Sequence, residues 1–247
     1  MIIALLLIQK KSITILYSAI AIVLTYPILI LFLNYELGWD FTTLEYADFW
    51  TFIGFFRNLF FNGFHPVIPW AAFMLVGLWF GKQNLTDTRF VKKVALVSFS
   101  IFILTQLISI FVITFLSDGN PITTEELQSV FGTNPMPPLP IYMISGNSIA
   151  IFIISVCILI SKKLENSFII KALTKTGQLA LTFYVAHVIL GMGLIEIISN
   201  KKLGDHSLNF SITYGLIFSL GCVLFAIIWT KHKKNGPLEL IMRKITD

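Results

Sequence analysis

Apolar residues in this chain run together instead of alternating with polar ones. Six of the runs, near 13–33, 64–81, 91–116, 139–161, 178–199 and 208–230, approach or exceed the length that spans a bilayer. A hydrocarbon core roughly 30 Å thick needs about 20 mostly apolar residues in helix. Lipid offers the backbone no water, so each crossing segment must satisfy its own peptide groups. Continuous runs therefore read as helices, not as the alternating strands of a barrel. The expected fold is all-α: a polytopic transmembrane helix bundle of about six full spans, forming a single transmembrane domain over 1–247.

Composition agrees with that reading. The chain is 56% hydrophobic and only 13% charged, against about 25% charged residues in an ordinary soluble domain. The charges lie in the gaps between runs, or at helix ends, and they split by parity. Gaps at 10–11, 82–93, 162–175 and 231–247 carry net +11; those at 36–57, 118–126 and 196–205 carry net −6. Loops rich in Lys and Arg stay on the cytoplasmic side. The pattern predicts a multi-pass protein of the inner (plasma) membrane with a cytoplasmic C-terminus. The net charge of +5 is then a topology signal, and nucleic acid is excluded as a partner.

Two segments fall outside the six spans. Residues 41–64 hold ten aromatics, but a crossing there would invert every later gap. Tyr46, Phe49, Trp50, Phe56 and Phe60 recur at helical spacing, with Glu45, Asp48, Arg57 and Asn58 between them. This predicts an interfacial or re-entrant helix on the outer face, or a plain aromatic belt. The opening MIIALLLI covers only about 12 Å as helix. It reads as a partial helix, the last turns of one whose beginning is missing. Between the third and fourth spans a short helix is expected at Thr123 to Val130.

Pro27 interrupts the first span and is expected to kink it. Pro66 and Pro69 fall in the first turns of the second, where proline is tolerated. His65 then stands at a helix N-terminus, which disfavours the imidazolium and suits a general base. Asp40, Glu45 or Asp48 could orient its ring. The other reading of His65 is an interfacial residue that caps a helix.

Within the spans the polar residues are few: Thr105 and Gln106, Asn147 and Ser148, and Thr182, Tyr184 and His187. Such groups face other helices or a cavity. Tyr184 lies three residues before His187 and shares its face, which fits a proton relay, a substrate contact or an interhelical hydrogen bond. Gly77 and Gly81 have GxxxG spacing, and Gly191 and Gly193 follow His187; these favour close packing and a homo-oligomer. Cys157 and Cys222 fall inside spans and read as small hydrophobes, with no disulfide framework and no metal pattern. No P-loop, dinucleotide fingerprint or GxSxG elbow is present.

The segments FFNGFHPVIPWAAFMLVGLWFGK, TGQLALTFYVAHVILG and GPLELIMRKI together resemble the YeiB-like bacterial membrane proteins, over roughly residues 50–247. That family is a domain of unknown function. It is similar to the heparan-alpha-glucosaminide N-acetyltransferase group, polytopic enzymes that pass an acetyl group from cytosolic acetyl-CoA to an amino sugar across the membrane. The larger group carries an Asp-Arg-Gly-type motif on its first helix and an acetyl-accepting His in the following loop. This chain has neither, so no catalytic residue transfers to it, and it reads as the C-terminal part of a longer architecture.

The resemblance implies a transmembrane acyltransferase-like protein that modifies a cell-envelope sugar or lipid, with acyl-CoA as co-substrate and no resident cofactor. Lys82, Lys92 and Lys93 would attract the phosphates of acyl-CoA, or act as topology determinants alone. The residues themselves supply the candidate site: His65 and Asp48 as catalytic groups, and Arg57, Asn62, Trp70, Gln106, Asn147, Tyr184 and His187 for substrate. Two other readings stand beside it. One is a small-molecule transporter or permease with Gln106, Asn147 and His187 along its path; the other is a non-catalytic membrane partner subunit.

Overall fold

Small hydroxyl residues share the interior with apolar ones, and many large aliphatic residues lie on the exterior. Ser98, Thr105, Ser109, Ser145, Ser148 and Ser155 are buried, whereas Leu104, Leu107, Ile110, Leu216, Ile217 and Leu220 are exposed. Lipid tails are as apolar as leucine, so burying leucine gains little. Close helix contact through small side chains gains more. The protein is an integral membrane protein.

The computed structural model describes residues 2–43, 45–199 and 206–246. Its helices are all-α in the expected manner, with one two-residue antiparallel pair among the described residues. The chain divides into two compact units, Met1–Ile160 and Ser161–Asp247.

The first unit opens with α1 (Ile2–Leu7) and α2 (Ser12–Phe32). A hairpin of β1 (Trp39–Asp40) and β2 (Glu45–Tyr46) follows, pairing Trp39 with Tyr46. Next come α3 (Phe52–Arg57), which continues into a π-helical turn (Asn58–Asn62), then α4 (Val67–Gly81), α5 (Thr88–Ser117), α6 (Pro121–Phe131) and α7 (Pro140–Lys163). Its core joins Ile15 and Ala19 of α2 to Ala72 and Leu75 of α4 and Met143 of α7. Gln106 of α5 donates to Ser145 Oγ of α7 at 2.9 Å. Gly146 of α7 lies where a Cβ would come within 2.9 Å of the Phe73 ring.

Among the described residues, five helices are long and apolar enough to cross a membrane: Ser12–Phe32, Thr88–Ser117, Pro140–Lys163, Ala180–Ile197 and Leu208–Trp229. The sixth expected span, 64–81, is not one straight helix. Helix α4 has 15 residues, about 22 Å, and reaches spanning length only together with Phe52–Asn62, from which it bends by 43°. The prolines cause the break. Pro66 stands ahead of the helix, and Ile68 adopts φ −105°, ψ 120°, the extended conformation that a following proline favours. Regular helix thus begins only after Pro69. By contrast α2 runs through Pro27 without ending.

The ends of these helices are closed by local polar chemistry. Asp87 accepts from Arg89 N at the start of α5. Asn120 caps α6, which begins with Pro121 and contains the expected helix Thr123–Val130. Lys82 Nζ donates to the carbonyls of Ile8 and Lys10 at 2.6 and 2.8 Å, closing the C-terminal end of α1.

The second unit holds α8 (Phe168–Gly177), α9 (Ala180–Ala186), a π-helical turn (His187–Met192), α10 (Gly193–Ser199), α11 (Leu208–Trp229) and α12 (Pro237–Thr246). A π turn leaves backbone groups out of register. Here Tyr214 of α11 donates its hydroxyl to the Gly191 carbonyl at 2.7 Å. Phe183 and Phe225 meet edge to face at 6.0 Å.

Candidate functional site

The densest polar network among the described residues lies where the aromatic segment folds against the start of the broken span. Asn62, wholly buried, ends the π turn after α3. Its Nδ2 donates to the carbonyls of Tyr35 and Leu37 at 2.8 and 2.9 Å. Its Oδ1 accepts from the Tyr46 hydroxyl at 2.9 Å, and its own carbonyl accepts from Trp39 Nε1. One amide thereby ties the end of α2, the hairpin and the π turn together.

Arg57 extends the network. Its Nε donates to the Tyr46 hydroxyl at 2.7 Å and its Nη2 to Asp48 Oδ2 at 2.9 Å. The guanidinium also lies over the Tyr46 ring, 5.6 Å from the centroid, a favourable cation–π arrangement. Asp48 is therefore committed to Arg57. Asp40 is turned to its own hairpin, where hydrogen bonds from Thr42 hold its carboxyl below the usual aspartate range.

His65 stands apart from both carboxylates. It is exposed, with its ring against the edge of Trp70 at 4.5 Å. Trp70 packs in turn on Phe73 and Tyr142. Among the described residues, no hydrogen bond or ion pair joins His65 to Asp40, Glu45 or Asp48. Two donors in this region are buried without an acceptor, Trp70 Nε1 and the Tyr35 hydroxyl, and burial pushes the Tyr35 phenol up to about 12. Orphaned donors of this kind mark a place for water or a ligand.

The remaining sequence candidates lie elsewhere. Gln106 bridges to Ser145 between α5 and α7. Asn147 Nδ2 turns back to the Met143 carbonyl in its own helix at 2.8 Å. Tyr184 and His187 belong to the second unit, with rings 5.4 Å apart. Among the described residues, no three of His, Cys, Asp and Glu gather as a metal site would require.

One arrangement escaped the sequence reading. In the second unit, Glu239 accepts from the Thr182 backbone N–H at 3.1 Å and from its hydroxyl. Thr182 Oγ1 accepts in return from Leu238 N at 3.2 Å. Each helix start, α9 and α12, is capped by a side chain of the other. The signal was present: Gly-Pro-Leu-Glu places proline first and glutamate third in a helix, the positions that favour N-terminal caps.

The segments TGQLALTFYVAHVILG and GPLELIMRKI thus meet in space, and both lie within a stretch, residues 78–247, that matches the family described as "Protein of unknown function (DUF418)". The chain belongs to this family. The YeiB-like resemblance is consistent with it. The DUF418 segment takes in α5 to α12, so the reciprocal cap is a feature of that segment, while the network around Asn62 and the His65–Trp70 contact precede it. No curated protein and no solved structure matches the chain.

Proposed function

We propose that this DUF418 protein is a transmembrane acyltransferase-like enzyme of the inner membrane that modifies a cell-envelope sugar or lipid, with its C-terminus in the cytoplasm. The charge parity of the gaps supports this orientation. With that orientation His65 would face outside and the lysines at the start of α5 would face inside.

The observation that carries the reading is an exposed imidazole on an aromatic wall, against a tryptophan whose buried Nε1 donor has no partner. Few polar groups on an apolar, aromatic surface are the usual make-up of a small-molecule site. His65 would take the proton of an acceptor hydroxyl or amine as that atom attacks the acyl carbonyl, and the donor's thiol would leave. Asp48, Arg57 and Asn62 would hold the scaffold that fixes the position of His65. His65 and Lys82 stand at opposite ends of α4, so the acceptor would approach at the first end and the acyl donor would reach it from the second.

Vesicles supplied with labelled acyl-CoA on the lysine side and envelope material on the His65 side test this. Acceptor labelling is expected, falling about 100-fold or more in His65→Ala, the scale of a lost general base. Equal labelling in the variant removes His65 from the mechanism, and no labelling in either overturns the acyltransferase reading.

A further inference from the structure

Helices α2, α4, α5 and α7 of the first unit leave a cleft of about 650 Å³ between them. Its wall is apolar, formed by residues such as Leu24, Val76, Trp79 and Ile144. Along α5 the lining extends from Phe90 to Ile101, about 16 Å of helix. Two of the polar residues in the wall turn back to their own helices. Ser98 Oγ donates to the Val94 carbonyl at 2.7 Å, and Asn147 Nδ2 to that of Met143 at 2.8 Å.

An apolar space of this size does not hold stable water, and left empty it forfeits the dispersion contacts of every residue that lines it. Hydrocarbon is the filler that a bilayer supplies. Toward the α5 N-terminal end, one turn from Phe90, the wall includes Lys93, which is exposed and has no carboxylate beside it among the described residues. A lysine there lays its stem along the apolar wall and lifts its ammonium to the headgroup level. Long channel, dry wall and a cation toward one end match one chemistry: an acyl chain that ends in an anionic headgroup.

We propose that this cleft binds one acyl chain of an anionic phospholipid from the surrounding bilayer, with the lipid phosphate at Lys93. The cleft lacks His65 and needs no acyl transfer to fill, although it shares Lys93 with the lysines that would face acyl-CoA. Basic pockets between transmembrane helices recognise anionic headgroups, and one lysine near the surface contributes about fivefold in affinity.

Trp79 in the wall is a built-in reporter. The full chain, held in phosphatidylcholine nanodiscs, is titrated with phosphatidylglycerol whose acyl chains carry bromine, which quenches a neighbouring indole. Saturable quenching is expected, absent in Trp79→Phe, with a midpoint raised about fivefold in Lys93→Gln. Brominated phosphatidylcholine should give only a weak, non-saturating decline. Circular dichroism establishes that Lys93→Gln, a change at an exposed position, remains folded. Equal quenching by the two lipids would reduce the cleft to ordinary lipid contact and overturn the proposal. So would an unchanged midpoint in Lys93→Gln, or a Trp79 signal that no brominated lipid reaches because protein covers the cleft.

Discussion

Tyr46 and Asn62 are joined by a 2.9 Å hydrogen bond from phenol to amide oxygen, and the same phenol oxygen accepts from Arg57. One hydroxyl therefore links a surface ion pair to a fully buried amide. Tyr46→Phe should lower stability by about 1–2 kcal/mol, the net value of the bonds it removes. Asn62→Ala should cost more, about 2–4 kcal/mol, because the carbonyls of Tyr35 and Leu37 also lose their donor. Thermal unfolding of the purified protein in nanodiscs ranks the two; equal midpoints would deny Asn62 its central place.

Lys82 closes the end of α1 through two carbonyls. Lys82→Met should release that helix while leaving the global unfolding midpoint within about 1 kcal/mol of wild type, since the lysine is exposed. Hydrogen exchange measures the difference directly. Amides of residues 4–10 should exchange faster in the variant, with α2 and α4 unchanged.

Glu239 predicts a pH dependence. Burial opposes its charge, yet hydrogen bonds, chiefly from Thr182, outweigh burial and hold the carboxyl below the usual glutamate value of 4.5. A group whose pKa is lowered on folding stabilises the fold above its unfolded pKa and loses that contribution as pH falls through the folded one. The unfolding midpoint should therefore drop below about pH 4.5 in wild type. Glu239→Gln should begin lower and respond less steeply over the same range.

Gly236 sits against this cap: a Cβ there would collide with the Glu239 carboxylate and come within 2.8 Å of Thr182 Oγ1. Gly236→Ala should displace the carboxylate and cost about 1 kcal/mol, as loss of an N-terminal cap does. Once Glu239→Ala has removed the obstructing group, the glycine change should cost little more. A double-mutant cycle that shows simple additivity would disprove this coupling.

Hydrophobic length disclosed the spans because lipid imposes it along the chain itself. The break at Ile68 was half legible. Pro66 and Pro69 were visible, but a sequence does not show whether a proline opens a helix or holds its neighbour extended. Asn62 was singled out by type, yet its partners Tyr35 and Leu37 lie 27 and 25 residues away, and closure over that distance leaves no local pattern. The sequence offers Asp48 as a partner for His65, whereas Arg57, nine residues along and on the adjoining helix, takes its carboxylate. By sequence Lys82 reads as a topology determinant or a phosphate contact for acyl-CoA; its clasp on α1 depends on where two helix ends meet.

The reciprocal cap also sets an order of events. Thr182 leaves the ribosome 57 residues ahead of Glu239, roughly 3–11 s earlier at ordinary rates of synthesis. Helix α9 must enter the membrane with its first amide groups open, and α10 and α11 are made before the carboxylate that will close them arrives. Helix α12 thus acts as a latch on a segment inserted three helices before it.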